Sequence, residues 1–259
     1  MAVRFDDGAA YERMMGLWSR QVGEDFLDWL KLPTGLKCVD IGCGNGAFTE
    51  LLVERCRPAE VQGIDPSPQQ IEFARQRHVA KIAEFRQGDA MALPFPDNRF
   101  DAATMALVIF FVPEPARGVA EMARVVRPGG VVAAYAWDML GGGFPMTPIL
   151  AEVRALGKET QGPPSVEASR MDSLRKLWSD AGMEVLETRK ITVQRTFTDF
   201  DDFWTSSTAA GSVRATVEAL SRDEAETIKT RVRAKIQADA DGRITHSAFA
   251  NAIKGRVRK

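Results

Sequence analysis

Three aspartates and three glycines are the residues here whose types and spacing could do chemistry. Asp40 sits in the apolar run Val39-Asp40-Ile41, and the glycines follow at once in Gly42-Cys43-Gly44-Asn45-Gly46. Asp65 and Asp89 close two further short runs downstream. Glycines adopt backbone angles that a Cβ disfavours, and they let a ligand approach the main chain. A carboxylate accepts both protons of a vicinal diol, and Asp65 lies roughly 20 residues past the turn, where an acid takes ribose hydroxyls. The glycines are spaced G-x-G-x-G, not G-x-G-x-x-G as in dinucleotide sites, and no Gly-Lys-Ser/Thr of a phosphate loop follows them. No Lys or Arg lies between Val39 and Leu52, so nothing in this turn attracts a pyrophosphate. The pattern suits a nucleoside that brings a cationic amine and no phosphate.

The elements that must position these groups alternate. Strands are expected at Lys37–Ile41, Glu60–Ile64 with Asp65 at its end, Ala83–Arg86, Phe100–Leu107 and Val131–Trp137. Helices are expected at Ala47–Cys56, from the Ser67-Pro68 cap towards His78, and at Pro115–Val126. Arg127-Pro128-Gly129-Gly130 reads as a turn before the fifth strand. Such alternation calls for a doubly wound α/β sheet, whose strand ends line a crevice where Asp40, Asp65 and Asp89 converge. Upstream, Phe5–Leu32 is an amphipathic helix with Tyr11, Met14, Met15, Trp18, Val22, Phe26, Trp29 and Leu30 on one face, and Gly16 as a candidate break. Downstream, helices are expected at Thr147–Glu159 and across Met171–Trp178, with Gly182 as C-cap. An extended segment, Met183–Phe197, then helices over 198–241 and a strand over 242–253, whose many alanines would also suit a helix, would complete seven strands, the last one antiparallel. The whole reads as one domain over 1–259. It has an N-terminal helical cap (1–36), a ligand-binding core (37–140), and a remainder (141–259) with a helical insertion at about 198–241.

The stretch Val39–Thr49 resembles motif I of the class I S-adenosylmethionine-dependent methyltransferases, and small-molecule members of the methyltransferase type 11 kind in particular. Gly63-Ile64-Asp65-Pro66-Ser67 is similar to their second motif, and Gly88-Asp89-Ala90-Met91-Ala92-Leu93-Pro94-Phe95 to their adenine-edge motif. The resemblance implies a Rossmann-like seven-stranded sheet and S-adenosyl-L-methionine as cofactor. It implies contacts from Asp40, Gly42, Cys43 and Gly44 at the methionyl end, and from Asp65, Pro66 and Gln70 around the ribose and adenine. Asp89, Ala90 and Met91 would edge the adenine, and Met105 and Ala106 would border the methionine. The stretch around Tyr11, Trp18 and Arg20 looks like the lid of such enzymes, with Arg20 reaching the methionyl carboxylate. Relatives often carry a histidine after the fourth strand, where this chain has Val108-Ile109-Phe110-Phe111.

Methyl transfer from a sulfonium asks chiefly for alignment and exclusion of water. Asp138, after the fifth strand, is the foremost candidate base, ahead of His78 and His246, and its alternative as a turn residue before Gly141-Gly142-Gly143 weighs more. No Asn/Asp-Pro-Pro-Tyr/Phe and no Pro-Cys motif marks a nucleic-acid methylase, so a small-molecule acceptor is expected. A non-catalytic protein that binds the same nucleoside and an NAD(P)-dependent oxidoreductase are the alternatives.

In 259 residues the net charge is −1, which gives no general attraction to nucleic acid or anionic lipid. Three irregularly spaced cysteines form neither a disulfide framework nor a zinc motif, and no metal is expected. With no membrane-length apolar run and acids at Asp6 and Asp7, the expectation is a cytoplasmic monomer or weak homodimer.

Overall fold

A computed structural model describes residues 15–160, 162–209 and 211–258. Its seven strands are β1 (Lys37–Ile41), β2 (Glu60–Asp65), β3 (Ala83–Gln87), β4 (Phe100–Ala106), β5 (Val126–Trp137), β6 (Glu184–Phe197) and β7 (Ile244–Arg256). They form one sheet in the order β3-β2-β1-β4-β5-β7-β6. β7 alone runs against its neighbours, as the sequence led us to expect. The helices are α1 (Leu17–Leu30), α2 (Ala47–Cys56), α3 (Pro68–Gln76), α4 (Pro115–Val125), α5 (Thr147–Ala155), α6 (Met171–Asp180), α7 (Phe200–Ser207), α8 (Gly211–Glu218) and α9 (Arg222–Lys235). The last three occupy the connection between β6 and β7, where the insertion was expected.

Local signals explain most boundaries. Ser67 caps α3 by accepting from Gln70 N, with Pro68 in the first turn. Ser221 and Glu224 form a reciprocal capping box at the start of α9. Gly182, at φ 75°, follows the end of α6. Three expectations need correction. Gly16 has helical angles, φ −56° and ψ −46°, and divides nothing among the described residues. α5 ends at Ala155, short of Glu159, because Gly157 turns the chain at φ 74°. The 127–130 turn is absorbed into β5 as a bulge: Phe100 pairs with Val126, but Ala102 already pairs with Val131. Gly129 takes φ 77° there, and backbone hydrogen bonds between 129–130 and Val257 bind the bulge to β7.

The core lies on both faces of the sheet. Trp18, Val22, Phe26, Leu27 and Leu30 of α1 are buried against it, which is the apolar face expected of that helix. Tyr11 and Met14 lie outside the described residues. Trp178 of α6 covers the other face, its indole N–H donating to Val132 O at 3.0 Å. Glu152 of α5, 4% exposed, is paired with Lys235 and so ties the insertion to the main body. β6 and β7 are longer than their neighbours: β7 pairs with β5 only from Ala250 onwards, but with β6 from Ile244. The extra strand length overhangs the carboxyl edge of the parallel strands. No helix among the described residues is long and apolar enough to cross a membrane.

Candidate functional site

β1 delivers Asp40 into the layer beneath α2, and the three glycines then turn the chain. Gly42, Gly44 and Gly46 take φ 73°, 53° and 82°, so each occupies the left-handed region. Their reasons differ. A Cβ on Gly42 would stand 2.5 Å from the Val108 side chain, so that glycine is required by packing. A Cβ on Gly44 would meet nothing nearer than Gln70 Oε1 at 3.9 Å, so bare main chain faces open space there. Gly42 N and Cys43 N both donate to Ile64 O, at 2.7 and 3.0 Å, which sews the turn to the end of β2.

Asp65 holds the turn from the other side. Its Oδ2 accepts from Gly44 N and its Oδ1 from Ser67 N, each at 2.9 Å. Burial raises its pKa, and the two backbone N–H groups oppose that shift. The carboxylate expected to take ribose hydroxyls is thus also the clasp of the glycine turn. Each oxygen retains a lone pair for a further donor. Asp89, exposed, closes its own turn by accepting from Met91 N at 2.8 Å, with Ala92 N donating back to Asp89 O. The three aspartates therefore stand at the carboxyl ends of β1, β2 and β3, adjacent strands of the sheet. Pro66 is exposed beside Asp65, and Gln70 faces Gly44 from the first turn of α3.

Asp40 is fully buried. Thr49 Oγ1 of α2 donates to its Oδ2 at 2.6 Å, and its Oδ1 has no partner at all. Burial, with Asp65 nearby, pushes its pKa up to about 7 against the pull of the Thr49 hydroxyl. An unpaired carboxylate oxygen in such a place is costly, and a donor or cation arriving beside it would relieve the cost. Met105 is buried and Ala106 half-buried at the end of β4. Leu107 then takes φ 60°, strained for a leucine, while its N–H donates to Tyr135 O at 2.8 Å.

The remaining candidates are engaged elsewhere. Trp18 is 1% exposed and packs against Phe197 and His246, at ring distances of 6.5 and 5.9 Å. Arg20 is exposed and paired with Glu24 at 3.1 Å. Asp138 holds the turn after β5, its Oδ1 accepting from Gly141 N at 2.8 Å and its carbonyl from Gly143 N at 2.7 Å. Cys43 is buried beneath the turn, its thiol donating to Gly44 O and pushed far up in pKa by that burial.

Two contributors escaped the sequence reading. Thr49 was visible as a hydroxyl on an otherwise apolar helical stripe, but nothing paired it with Asp40. Arg77 bears on the turn from 32 residues away, donating to Asn45 O at 2.6 Å and pairing with Glu50 at 2.9 Å. A cation does approach the turn, then, but its charge is matched by Glu50.

The donor set fits the cofactor that the motifs imply. An unpartnered carboxylate oxygen meets an ammonium, open main chain at Gly44 admits a close approach, and strand-end carboxylates suit a diol and an exocyclic amine.

Residues 39–134 match the sequence profile of a family described as a methyltransferase domain. Over 117 residues the chain is 39% identical to 2-methyl-6-phytyl-1,4-hydroquinone methyltransferase 2 of rice, Oryza sativa subsp. japonica. That alignment covers 45% of this chain and 34% of the rice protein. It is 41% identical over 96 residues to a fatty-acid O-methyltransferase of Mycolicibacterium smegmatis, covering 37% of this chain and 35% of that one. The chain spans about a third to a half of the length of the curated relatives it matches. Among solved structures, a protein of Bacillus halodurans C-125 provisionally named a methyltransferase superposes with a TM-score of 0.62 at 17% identity. That match covers 92% of this chain and 99% of the other, and at such identity it speaks for the fold. The segment bearing the glycine turn and the strand-end aspartates thus matches a methyltransferase-domain family in sequence, and the chain as a whole takes a Rossmann-like fold.

Proposed function

We propose that this chain, as a single domain, transfers a methyl group from S-adenosyl-L-methionine to a small-molecule acceptor. The observation that carries the reading is Asp40: a buried carboxylate, one oxygen unpartnered, beside main chain that Gly44 leaves open. The cofactor would supply an activated methyl on sulfur. Transfer to the acceptor would be by in-line displacement, which asks the chain chiefly for alignment. Asp40 would hold the ammonium, with Gly42, Cys43 and Gly44 providing main chain around it. Asp65 would take the ribose hydroxyls, with Pro66 and Gln70 beside them. Asp89 and the Ala90 N–H would read the adenine edge next to Met91, and Met105 and Ala106 would border the methionine. Tyr11, Trp18 and Arg20 would contribute only on closure of an N-terminal lid, since Trp18 and Arg20 have other partners in this structure.

Asp138 is already spent on its turn, so the chain's part in the chemistry is to bind, align and exclude water. Hydroquinones and fatty acids, the acceptors in the relatives' names, define the compounds to try first. We infer further that it works in the cytoplasm as a monomer or weak homodimer, without nucleic acid. Titration calorimetry with S-adenosylmethionine tests the cofactor site. One molecule should bind, and Asp65→Ala should weaken it by about 1–3 kcal/mol, the loss expected when a charged hydrogen-bond partner is removed. Absence of binding, or equal affinity in the variant, would overturn the reading.

A further inference from the structure

Five buried side-chain atoms among the described residues lack a hydrogen-bond partner: Ser19 Oγ, Asp40 Oδ1, Gln62 Oε1, Arg99 Nη1 and Trp137 Nε1. Gln62 and Arg99 belong to a cluster with Glu60 and Glu84 in which each already makes other bonds. Asp40 is accounted for above. That leaves Ser19 and Trp137, which make no side-chain bond and come from two different elements.

The packing brings them to one level. Lys254, which pairs with Ala133 of β5, donates to Trp29 O near the end of α1. Phe26 packs tilted against Tyr135 with ring centroids 4.6 Å apart, and a Cβ on Gly23 would lie 3.2 Å from the Tyr135 hydroxyl. α1 thus descends antiparallel to β5. Ser19 is one helical turn, about 6 Å, above Gly23, and Trp137 is two strand residues, about 7 Å, above Tyr135 on the same face. Both orphans stand in the layer between α1 and the sheet, at the carboxyl edge, two strands along from the glycine turn. On the proposed function a nucleoside would lie across β3, β2 and β1, which puts β5 beyond the reactive end of the cofactor.

We propose that the Trp137 N–H and the Ser19 hydroxyl form a notch for an oxygen of the methyl acceptor. An indole N–H is a donor only, so its partner must offer a lone pair: a carbonyl, a phenol or phenolate, or a carboxylate. A cationic amine has none. The rest of the acceptor is apolar. Of the five large apolar side chains exposed among the described residues, Leu17, Phe111 and Leu140 all stand at this same edge, at the head of α1 and just past β4 and β5. Naming the ligand as the methyl acceptor rests on the proposed function; the notch itself does not.

The test uses two probes with one apolar body, 1-naphthol and 1-naphthylmethylammonium, added to the whole chain alone and with saturating S-adenosylhomocysteine. The chain has five tryptophans, and Trp137→Phe assigns the Trp137 indole N–H signal by its disappearance. With 1-naphthol that signal should move downfield, and affinity should fall about tenfold in Trp137→Phe and in Ser19→Ala. The naphthylmethylammonium should leave the signal in place, and affinity for S-adenosylhomocysteine should be the same in both variants. An unmoved signal, equal response to the two probes, or loss confined to cofactor affinity would overturn the notch. Failure of S-adenosylhomocysteine to bind the wild-type chain would sink the proposed function alone, since naphthol binding is read separately.

Discussion

Replacing Asp40 with asparagine separates what that carboxylate costs the fold from what it does for a ligand. In the structure its pKa stands at about 7 against an ordinary 3.8, mainly through burial. A pKa unit is worth about 1.4 kcal/mol, so the ionised side chain costs the folded state on the order of 4 kcal/mol. The sign follows from proton binding. Between the two values the folded chain holds a proton that the unfolded chain has released, so stability falls as pH rises. That contribution is fully present below 3.8 and gone above about 7. The substituted amide keeps an oxygen for the Thr49 hydroxyl but cannot ionise. Its nitrogen lacks a partner where Asp40 Oδ1 lacks one now, which adds a penalty of roughly 1–3 kcal/mol that does not change with pH. The informative quantity is therefore the slope, not the offset. Urea unfolding of both proteins, followed from about pH 4.5 to about pH 6.5, should show wild type losing roughly 2–3 kcal/mol relative to Asp40→Asn. Titrating groups that do not feel the charge on Asp40 cancel in the difference. Saturating S-adenosylmethionine should flatten the slope, because an ammonium beside Asp40 favours its ionised form. Two stability curves running parallel across this range would refute the argument, since Asp40 would then carry no unusual proton.

Two further comparisons probe the turn and the candidate base. Gly42→Ala adds a methyl group 2.5 Å from Val108 at φ 73° and should cost about 2 kcal/mol or more in urea unfolding; Gly44→Ala, in open space, should cost only about 1 kcal/mol yet weaken S-adenosylmethionine binding at least tenfold. Equal stability losses would remove the distinction between a packing glycine and a ligand-facing one. Asp138→Asn keeps an acceptor for Gly141 N, so methyl transfer should stay within about twofold of wild type, whereas loss of a general base costs about a hundredfold or more.

Much of this was already visible in the chain, because its signals are local. Three glycines at alternate positions have no common reason to be there except a backbone that needs positive φ, and all three take it. Apolar runs alternating with capped amphipathic segments left a doubly wound sheet as the one economical arrangement, whereas the alanine-rich last segment suited a helix as well as the antiparallel strand it forms. What tertiary structure decided depends on contacts across long sequence separations. Asp65 becomes a clasp because its two oxygens happen to face Gly44 and Ser67, and Arg77 reaches the turn only because α3 folds back beside it. The turn expected at 127–130 became a bulge because β7, arriving from more than a hundred residues away, supplied partners for its backbone. Trp18 read as core first and as a cofactor cover second, and which neighbours bury it, Phe197 and His246 of the overhanging β6–β7 pair, only the fold could say. Which polar atoms end without a partner is the least legible property of all: a side chain's want of a hydrogen bond is fixed by everything around it, and the sequence names only the side chain.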